Sequence, residues 1–223
     1  MGWTGFIAAF VGFFVLHSVP VRPPVRPWLV ARLGHAGFGI VYSILSIAAL
    51  AVLFVAADKA PYVPLWPEPP GVHWLVLAAM SGASLVLAFG LFQPNPLSFG
   101  GTRDSAFDPR RQGLLRWVHH PILAAFFLWS AAHLVANGDL AHAVMFGSFA
   151  GFALFGMWII DRRRCREMGE DAWRRTTMRM HAAPIHLPRA SVLRFGGAIA
   201  AVVALVLLHP WLAGVGVLWR FLP

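Results

Sequence analysis

The sequence has little of what soluble and disulfide-rich proteins need. Only one of its 223 residues is a cysteine, Cys165, which excludes an internal disulfide and a metal site made of cysteines alone. Asp and Glu together number 9, and charged residues make up 12% of the chain. With 58% hydrophobic residues and a mean hydropathy of +0.67, this composition excludes an ordinary soluble domain and predicts a polytopic membrane protein.

The scarcity of acidic residues leaves a formal net charge of +9, which arginine carries almost entirely because Lys59 is the single lysine. In a soluble protein, this balance would suggest a nucleic-acid partner. Here the arginines lie in loops between apolar runs, where arginine sets membrane topology and contacts anionic headgroups. We therefore expect the lipid bilayer as a partner and no nucleic acid.

Six apolar runs are each about 17–25 residues long, the length that crosses about 30 Å of hydrocarbon. They predict one all-α membrane helix bundle over residues 1–223, with spans near 3–19, 34–57, 72–92, 117–136, 141–160 and 192–219. Pro210 interrupts the last run and predicts a kink there. The basic segment 161–191 leaves two alternatives open, a surface helix that continues the fifth run or a solvated basic loop.

The loops between these runs are alternately rich and poor in arginine. The positive-inside rule then places both termini outside and the first, third and fifth loops in the cytoplasm. No basic residue precedes the first run, which favours a true span over a secretory signal. The sequence therefore predicts an N-out, C-out topology with six transmembrane helices.

The chain has ten histidines, which the predicted topology sorts by depth. An inner group is His17, His35, His119 and His120, an outer group is His73, His133, His142 and His209, and the fifth loop holds His181 and His186. Neutral imidazole is a common ligand of metals and of haem. No cysteine or carboxylate cluster accompanies the histidines, so haem is a more natural cofactor than structural zinc.

For any one histidine, the alternative to a ligand is a hydrogen bond to a neighbouring helix or a position at the headgroup boundary. His17 and His133 favour a function because each lies inside an apolar run rather than at its start. Ionisable groups inside a span are costly and usually face a bundle interior or a site.

The fourth run, residues 117–136, holds three histidines and is followed by Asn137–Gly138–Asp139. His119 and His133 are fourteen positions apart and are predicted on one helical face, whereas His120 points elsewhere. The helical rise separates His119 and His133 by about 20 Å, too far for both to bind one iron.

Several motifs resemble those of the NnrU family of membrane proteins. They are His17–Ser18 at the end of the first run, His119–Pro121, Leu128–Asp139 with the sequence LWSAAHLVANGD, Asp161–Cys165 (DRRRC) and Gly169–Trp173 (GEDAW). The resemblance covers most of the chain. NnrU proteins are associated with bacterial denitrification, and their domain is shared with the plastid 15-cis-zeta-carotene isomerase, a membrane enzyme that contains haem b.

The resemblance implies a multi-pass protein of the bacterial inner membrane that binds haem b. It implies His17 and His133 as axial ligands of the haem iron, because the family's matching histidines are associated with haem. Their predicted depths differ, His17 lying near the inner side and His133 near the outer side, so His120 is the alternative partner of His17. This sequence departs from the family at His119, where arginine usually precedes the His-Pro pair.

The implied function is nitrogen-oxide metabolism, or cis–trans isomerisation of an apolar small molecule. If the protein is an enzyme, the resemblance implies a haem-dependent isomerase of an apolar polyene such as zeta-carotene. A non-enzymatic accessory role in nitric-oxide or nitrite respiration remains a further alternative.

A second resemblance implies another class of protein. The His-His-Pro start of a span and a tail with Gly-Glu-Asp-x-Trp and Pro184–Ile185 are similar to isoprenylcysteine carboxyl methyltransferases and related phospholipid methyltransferases. In those enzymes, these regions bind S-adenosylmethionine at the cytoplasmic face. Thr176 and Thr177 stand where a tyrosine is expected, which favours a shared fold ancestry over a shared activity.

Overall fold

A computed structural model describes residues 2–91, 93–98, 107–109, 113–184 and 191–217. These residues form seven α-helices: α1 Trp3–Ser18, α2 Val25–Asp58, α3 Val72–Gly90, α4 Pro121–Ala136, α5 Leu140–Met168, α6 Glu170–Ala182 and α7 Ser191–Ala213. A short 3-10 helix, Gly113–Arg116, precedes α4. The described residues contain no β-strand, only an isolated bridge between Pro64 and Asp139, and the predicted all-α class is confirmed.

Four of these helices are long and apolar enough to cross a bilayer, namely α2, α3, α5 and α7. Helices α1 and α4 are apolar but have 16 residues each. At a rise of about 1.5 Å per residue they extend about 24 Å, against a hydrocarbon core of about 30 Å. The count of six spans and the N-out, C-out orientation therefore stay predictions.

The second helix begins earlier than its predicted span. We predicted a start near Gly34, but α2 begins at Val25 and passes through Gly34, whose φ of 69° interrupts the helical geometry there. Glycine adopts this left-handed conformation without the steric cost that a Cβ imposes. The glycine therefore separates two helical segments of α2, and the predicted span corresponds to the second of them.

The fourth helix begins later than its predicted span. Its first residue is Pro121 rather than Trp117, because proline suits the first helical position, where the missing N–H would have no partner. His119 thus lies before the helix, and the prediction that it shares a helical face with His133 was wrong.

The basic segment after the fifth apolar run is helical where it is described. Helix α5 continues to Met168, Gly169 with a φ of 83° ends it, and α6 follows. Exposed ion pairs at i,i+4 spacing join Arg163 to Glu167 and Arg174 to Glu170, and such exposed pairs add little to the stability of a helix. The helical alternative is therefore the one that the structure has, and the position of this helix at the membrane surface stays a prediction.

The last helix, α7, is continuous through Pro210 and ends three residues later at Ala213. Some positions used in the sequence predictions lie outside the described residues, namely Phe92, Ile185, His186 and Trp219.

The chain comprises two compact units. The first contains Met1–Pro67 and Gly138–Met145, and the second contains Glu68–Asn137 and Phe146–Pro223. In the first unit, α1 packs along α2. In the second unit, α3 packs against both α4 and α7, and the short 3-10 helix packs against α3 and α6.

Two glycines allow close approaches that shape these units. In the second unit, a Cβ at Gly90 would lie 2.4 Å from Cβ of Pro121, so α3 and the start of α4 touch through backbone. In the first unit, a Cβ at Gly138 would lie 1.9 Å from the carbonyl oxygen of Trp66. The N–H groups of Leu65 and Trp66 donate to the Gly138 carbonyl at 2.7 and 3.2 Å. These hydrogen bonds connect the proline-rich second loop to the chain at Gly138, just before α5.

Candidate functional site

His17 lies in the last turn of α1, half-buried against α2. Its Nδ1 lies 3.2 Å from the hydroxyl of Tyr42 and 3.4 Å from that of Ser46. The Tyr42 hydroxyl also donates to the backbone carbonyl of His17 at 2.8 Å. Because a tyrosine has one O–H proton, its oxygen is left to accept from Nδ1–H, which puts the ring lone pair of His17 on Nε2.

His133 lies in the last turn of α4 among aromatic side chains. Its Nδ1 lies 2.8 Å from the carbonyl oxygen of Trp129, one turn earlier. A carbonyl only accepts, so Nδ1 carries the proton and the lone pair is on Nε2. The rings of Trp129 and Phe146 lie 5.4 and 5.3 Å from the imidazole, measured between centroids. This tautomer is the one that metal-ligating histidines commonly have, with the other ring nitrogen bonded to a backbone carbonyl.

The end of α4 keeps His133 in place from the backbone side. The side-chain amide of Asn137 donates to the His133 carbonyl at 2.8 Å, and the Asn137 backbone N–H donates to the same oxygen at 3.0 Å. The last carbonyls of a helix lack partners within it. Asn137 supplies one, which explains its position four residues after the histidine.

His120 immediately precedes α4 and is buried, with 3% of its surface exposed. Its Nδ1 lies 2.8 Å from Oγ of Ser98, and its Nε2 lies 3.0 Å from Oδ1 of Asp161. The carboxylate only accepts, so Nε2 donates to Asp161, and Nδ1 shares a hydrogen bond with the Ser98 hydroxyl. Both ring nitrogens are engaged, and iron ligation by His120 would cost one of these bonds. The ligand role of His120 stays a prediction.

His119 precedes α4 and contacts α6 instead. Its ring centroid lies 6.4 Å from that of Trp173 and 5.7 Å from that of His181. Its Nε2 is buried and has no hydrogen-bond partner among the described residues. His119 lies outside the membrane-spanning helices, and burial lowers its pKa, although the Asp161 carboxylate opposes this effect.

Three further side chains make contacts among the third loop, the start of α4, α5 and α6. The guanidinium of Arg116 donates to the carbonyls of His181 and Ala183 at the end of α6. The Asn95 amide donates to the His119 carbonyl at 2.8 Å, and Arg164 donates to the Ser98 carbonyl at 3.2 Å. We call this cluster the His-Pro corner and define it by Ser98, His119, His120, Asp161, Trp173 and His181.

Two further histidines, His142 and His209, also make polar contacts. His142 lies between two carboxylates, with Nδ1 2.8 Å from Asp139 and Nε2 3.2 Å from Asp58. His209 has Nδ1 2.7 Å from the carbonyl of Val215. Among the described residues, no group of three or more His, Cys, Asp or Glu side chains is arranged to hold a metal ion.

The sequence predictions missed the partners of these histidines. Tyr42 carried a usable signal, since it is one of two tyrosines in the chain and lies inside an apolar run. Ser98 carried none, because a serine in a proline-containing loop usually only shapes a turn. Asp161 belonged to the quoted DRRRC motif, but its partner could not be read from that motif.

A family model described as NnrU protein matches residues 5–217, nearly the whole chain. The match includes both histidine environments and the His-Pro corner, and it confirms the resemblance seen in the motifs. No curated protein and no solved structure matches the chain. The chain therefore belongs to the NnrU family.

Proposed function

We propose that this NnrU-family protein binds haem b and that His17 and His133 serve as axial ligands of its iron. The observation that carries the proposal is the set of hydrogen-bond partners of Nδ1 in each imidazole, from which we infer the tautomer. In His17, the hydroxyl groups of Tyr42 and Ser46 lie within hydrogen-bond distance of Nδ1. In His133, the backbone carbonyl of Trp129 does. Nε2 then carries the lone pair that an iron ligand needs.

The surroundings of each histidine also support the proposal. The ring of Phe13 stacks on His17 at an interplanar angle of 11°, and Trp129 and Phe146 adjoin His133. Apolar aromatic side chains suit a porphyrin, which is largely apolar, and they exclude water from the ligating nitrogen. Each of the two histidines is proposed as a ligand from the contacts that it makes itself.

When bound, haem would supply a Lewis-acid or one-electron centre for nitrogen-oxide metabolism or for the isomerisation of an apolar polyene. The chain's own contribution would be to hold the two imidazoles in the ligating tautomer and to keep the site dry. The exposed apolar faces of α2 and α7 fit a protein embedded in lipid, and we propose the bacterial inner membrane as its location.

The test is the absorption spectrum of protein produced with haem available and purified in detergent. We expect a Soret band that shifts on reduction, and we expect His17→Ala and His133→Ala each to lose or alter it. His142→Ala is the matched control, because His142 contacts Asp58 and Asp139 and should leave the spectrum intact. Wild-type protein without Soret absorbance would refute the proposal.

A second candidate function is favoured by the His-Pro corner. There the start of α4 lies against α6, with the His119 and Trp173 ring centroids 6.4 Å apart. These are the two regions that bind S-adenosylmethionine in the methyltransferases that the sequence resembles. Equilibrium dialysis with labelled S-adenosylmethionine tests this candidate. Binding by colourless protein that His119→Ala abolishes would favour a methyltransferase-like protein, and no binding would exclude one.

A further inference from the structure

We infer that Tyr42 is the positioning residue of the His17 ligand, holding its tautomer and lowering the reduction potential of the iron that His17 would bind. The inference rests on the proposed function, since it concerns the same histidine. It starts from an arrangement within the first unit, where one hydroxyl group on α2 contacts both the backbone and the ring of one residue on α1.

The first contact holds the end of α1. The His17 carbonyl lies in the last turn, where helix carbonyls have no partner within the helix. The Tyr42 hydroxyl donates to this carbonyl at 2.8 Å. The tyrosine therefore supplies a partner that the helix lacks and fixes the backbone from which the imidazole projects.

The second contact fixes the ring. With its proton committed to the carbonyl, the Tyr42 oxygen accepts from Nδ1–H of His17 at 3.2 Å, whereas Ser46 lies farther away at 3.4 Å. The alternative tautomer, with the proton on Nε2, would leave two acceptors facing each other. Tyr42 thus holds the tautomer with the lone pair on Nε2.

Ring stacking restricts the orientation of this imidazole. Phe13, His17, Tyr42 and Phe38 stack in sequence, with centroid distances of 5.5, 5.7 and 5.8 Å and interplanar angles of 11°, 30° and 17°. Phe13 and Phe38 are buried. The imidazole is therefore held between Phe13 and Tyr42 and cannot rotate without disturbing the stack.

This geometry has a consequence for the iron. A hydrogen bond from the distal N–H of a ligating imidazole makes the ligand more basic, and a more basic ligand stabilises the oxidised iron. Loss of the acceptor should therefore raise the reduction potential while the ligating nitrogen stays in place. Tyr42→Phe makes this change with almost no loss of ring volume.

The first experiment is a spectroelectrochemical titration of the haem-loaded full chain. We expect Tyr42→Phe to keep a Soret band and to shift the midpoint potential upward. In the double variant that combines Tyr42→Phe with Ser46→Ala, we expect a further, smaller upward shift. The matched control is Tyr62→Phe, since Tyr62 is the only other tyrosine and is 74% exposed. An unchanged potential in both Tyr42 variants would overturn the inference but not the proposed function. A wild type without Soret absorbance would overturn both.

A second measurement covers the case in which Tyr42→Phe retains no haem. In a His17→Gly background, external imidazole can replace the side chain, and its affinity is read from the return of the low-spin spectrum. Tyr42→Phe should weaken imidazole about fivefold, corresponding to a hydrogen bond of about 1 kcal/mol. It should not weaken 1-methylimidazole, which has no N–H to donate. An equal loss for both ligands would show that Tyr42 acts only on folding and would overturn the inference.

Discussion

Nε2 of His120 lies 3.0 Å from Oδ1 of Asp161, and this contact connects the residue before α4 to the C-terminal extension of α5. His120 is buried, whereas the Asp161 side chain is partly exposed at 41%. Loss of this hydrogen bond should therefore cost His120 more than Asp161, because water can solvate only Asp161. The His-Pro corner is thus sensitive to changes at position 161.

Asp161→Ala should destabilise the protein by about 1–3 kcal/mol, since it leaves a buried N–H of His120 without an acceptor. Asp161→Asn should cost less, because the amide oxygen can still accept that hydrogen bond. The measurement is thermal unfolding in detergent. Asp171→Ala serves as the control, since Asp171 is exposed on α6. Equal stabilities for Asp161→Ala and the control would mean that the contact contributes nothing.

Gly90→Ala should also destabilise the second unit, by about 1–3 kcal/mol. Its Cβ would lie 2.4 Å from Cβ of Pro121, both atoms belonging to rigid backbone or ring, so α3 and α4 would have to move apart. Gly82→Ala on the same helix is the matched control. Its nearest contact would be Leu128 at an ordinary 3.7 Å, and its effect should stay within about 0.5 kcal/mol. Similar unfolding temperatures for the two variants would contradict the close approach.

Hydropathy predicted the apolar helices correctly because it measures which segments avoid water. It misplaced the start of α4, since Trp117 and Val118 are apolar but Pro121 is the first residue with helical geometry. The start of a helix depends on backbone hydrogen bonding, which hydropathy does not register.

The histidines themselves could be predicted as site residues, but their partners could not. Ser98 and Asp161 are 22 and 41 positions from His120, and no helical period links them. Their contact depends on how the third loop folds and on α5 continuing as a helix beyond its apolar part. Tyr42 shows the opposite case, because a polar residue in an apolar span already indicates an internal partner.

The topology prediction is tested by labelling single cysteines in a Cys165→Ser background. A cysteine at Pro64, in the arginine-poor second loop, should react with an impermeant thiol reagent from the outside of intact cells. A cysteine at Arg175 on α6 should react only after the membrane is opened. The reverse pattern would invert the topology and, with it, the depth assigned to each histidine.

Anionic lipid should stabilise the protein through the exposed arginines of the α5 extension. Arg162, which lies over the Trp158 ring at 4.3 Å, and Arg166 are exposed, and each can gain about 1 kcal/mol near an anionic surface. The double change to glutamine should reduce the rise in unfolding temperature that anionic lipid gives over zwitterionic lipid. Glu170→Gln is the control, because it removes a charge of the opposite sign. An undiminished rise in the arginine variant would rule out this contact.

The last prediction separates the two possible partners of His17. Because Ser98 and Asp161 engage both nitrogens of His120, His120→Ala should lower the unfolding temperature but leave the haem spectrum of the folded protein intact. His133→Ala should abolish or alter the haem spectrum and leave the unfolding temperature nearly unchanged. The reason is that His133 has a single ring hydrogen bond among the described contacts and a lone pair on Nε2. Each variant is measured for Soret absorbance per folded protein and for thermal unfolding. If His120→Ala abolishes the spectrum and His133→Ala does not, the predicted depths were the better guide. His120 would then be the ligand, and the role implied for His133 by the family resemblance would be wrong.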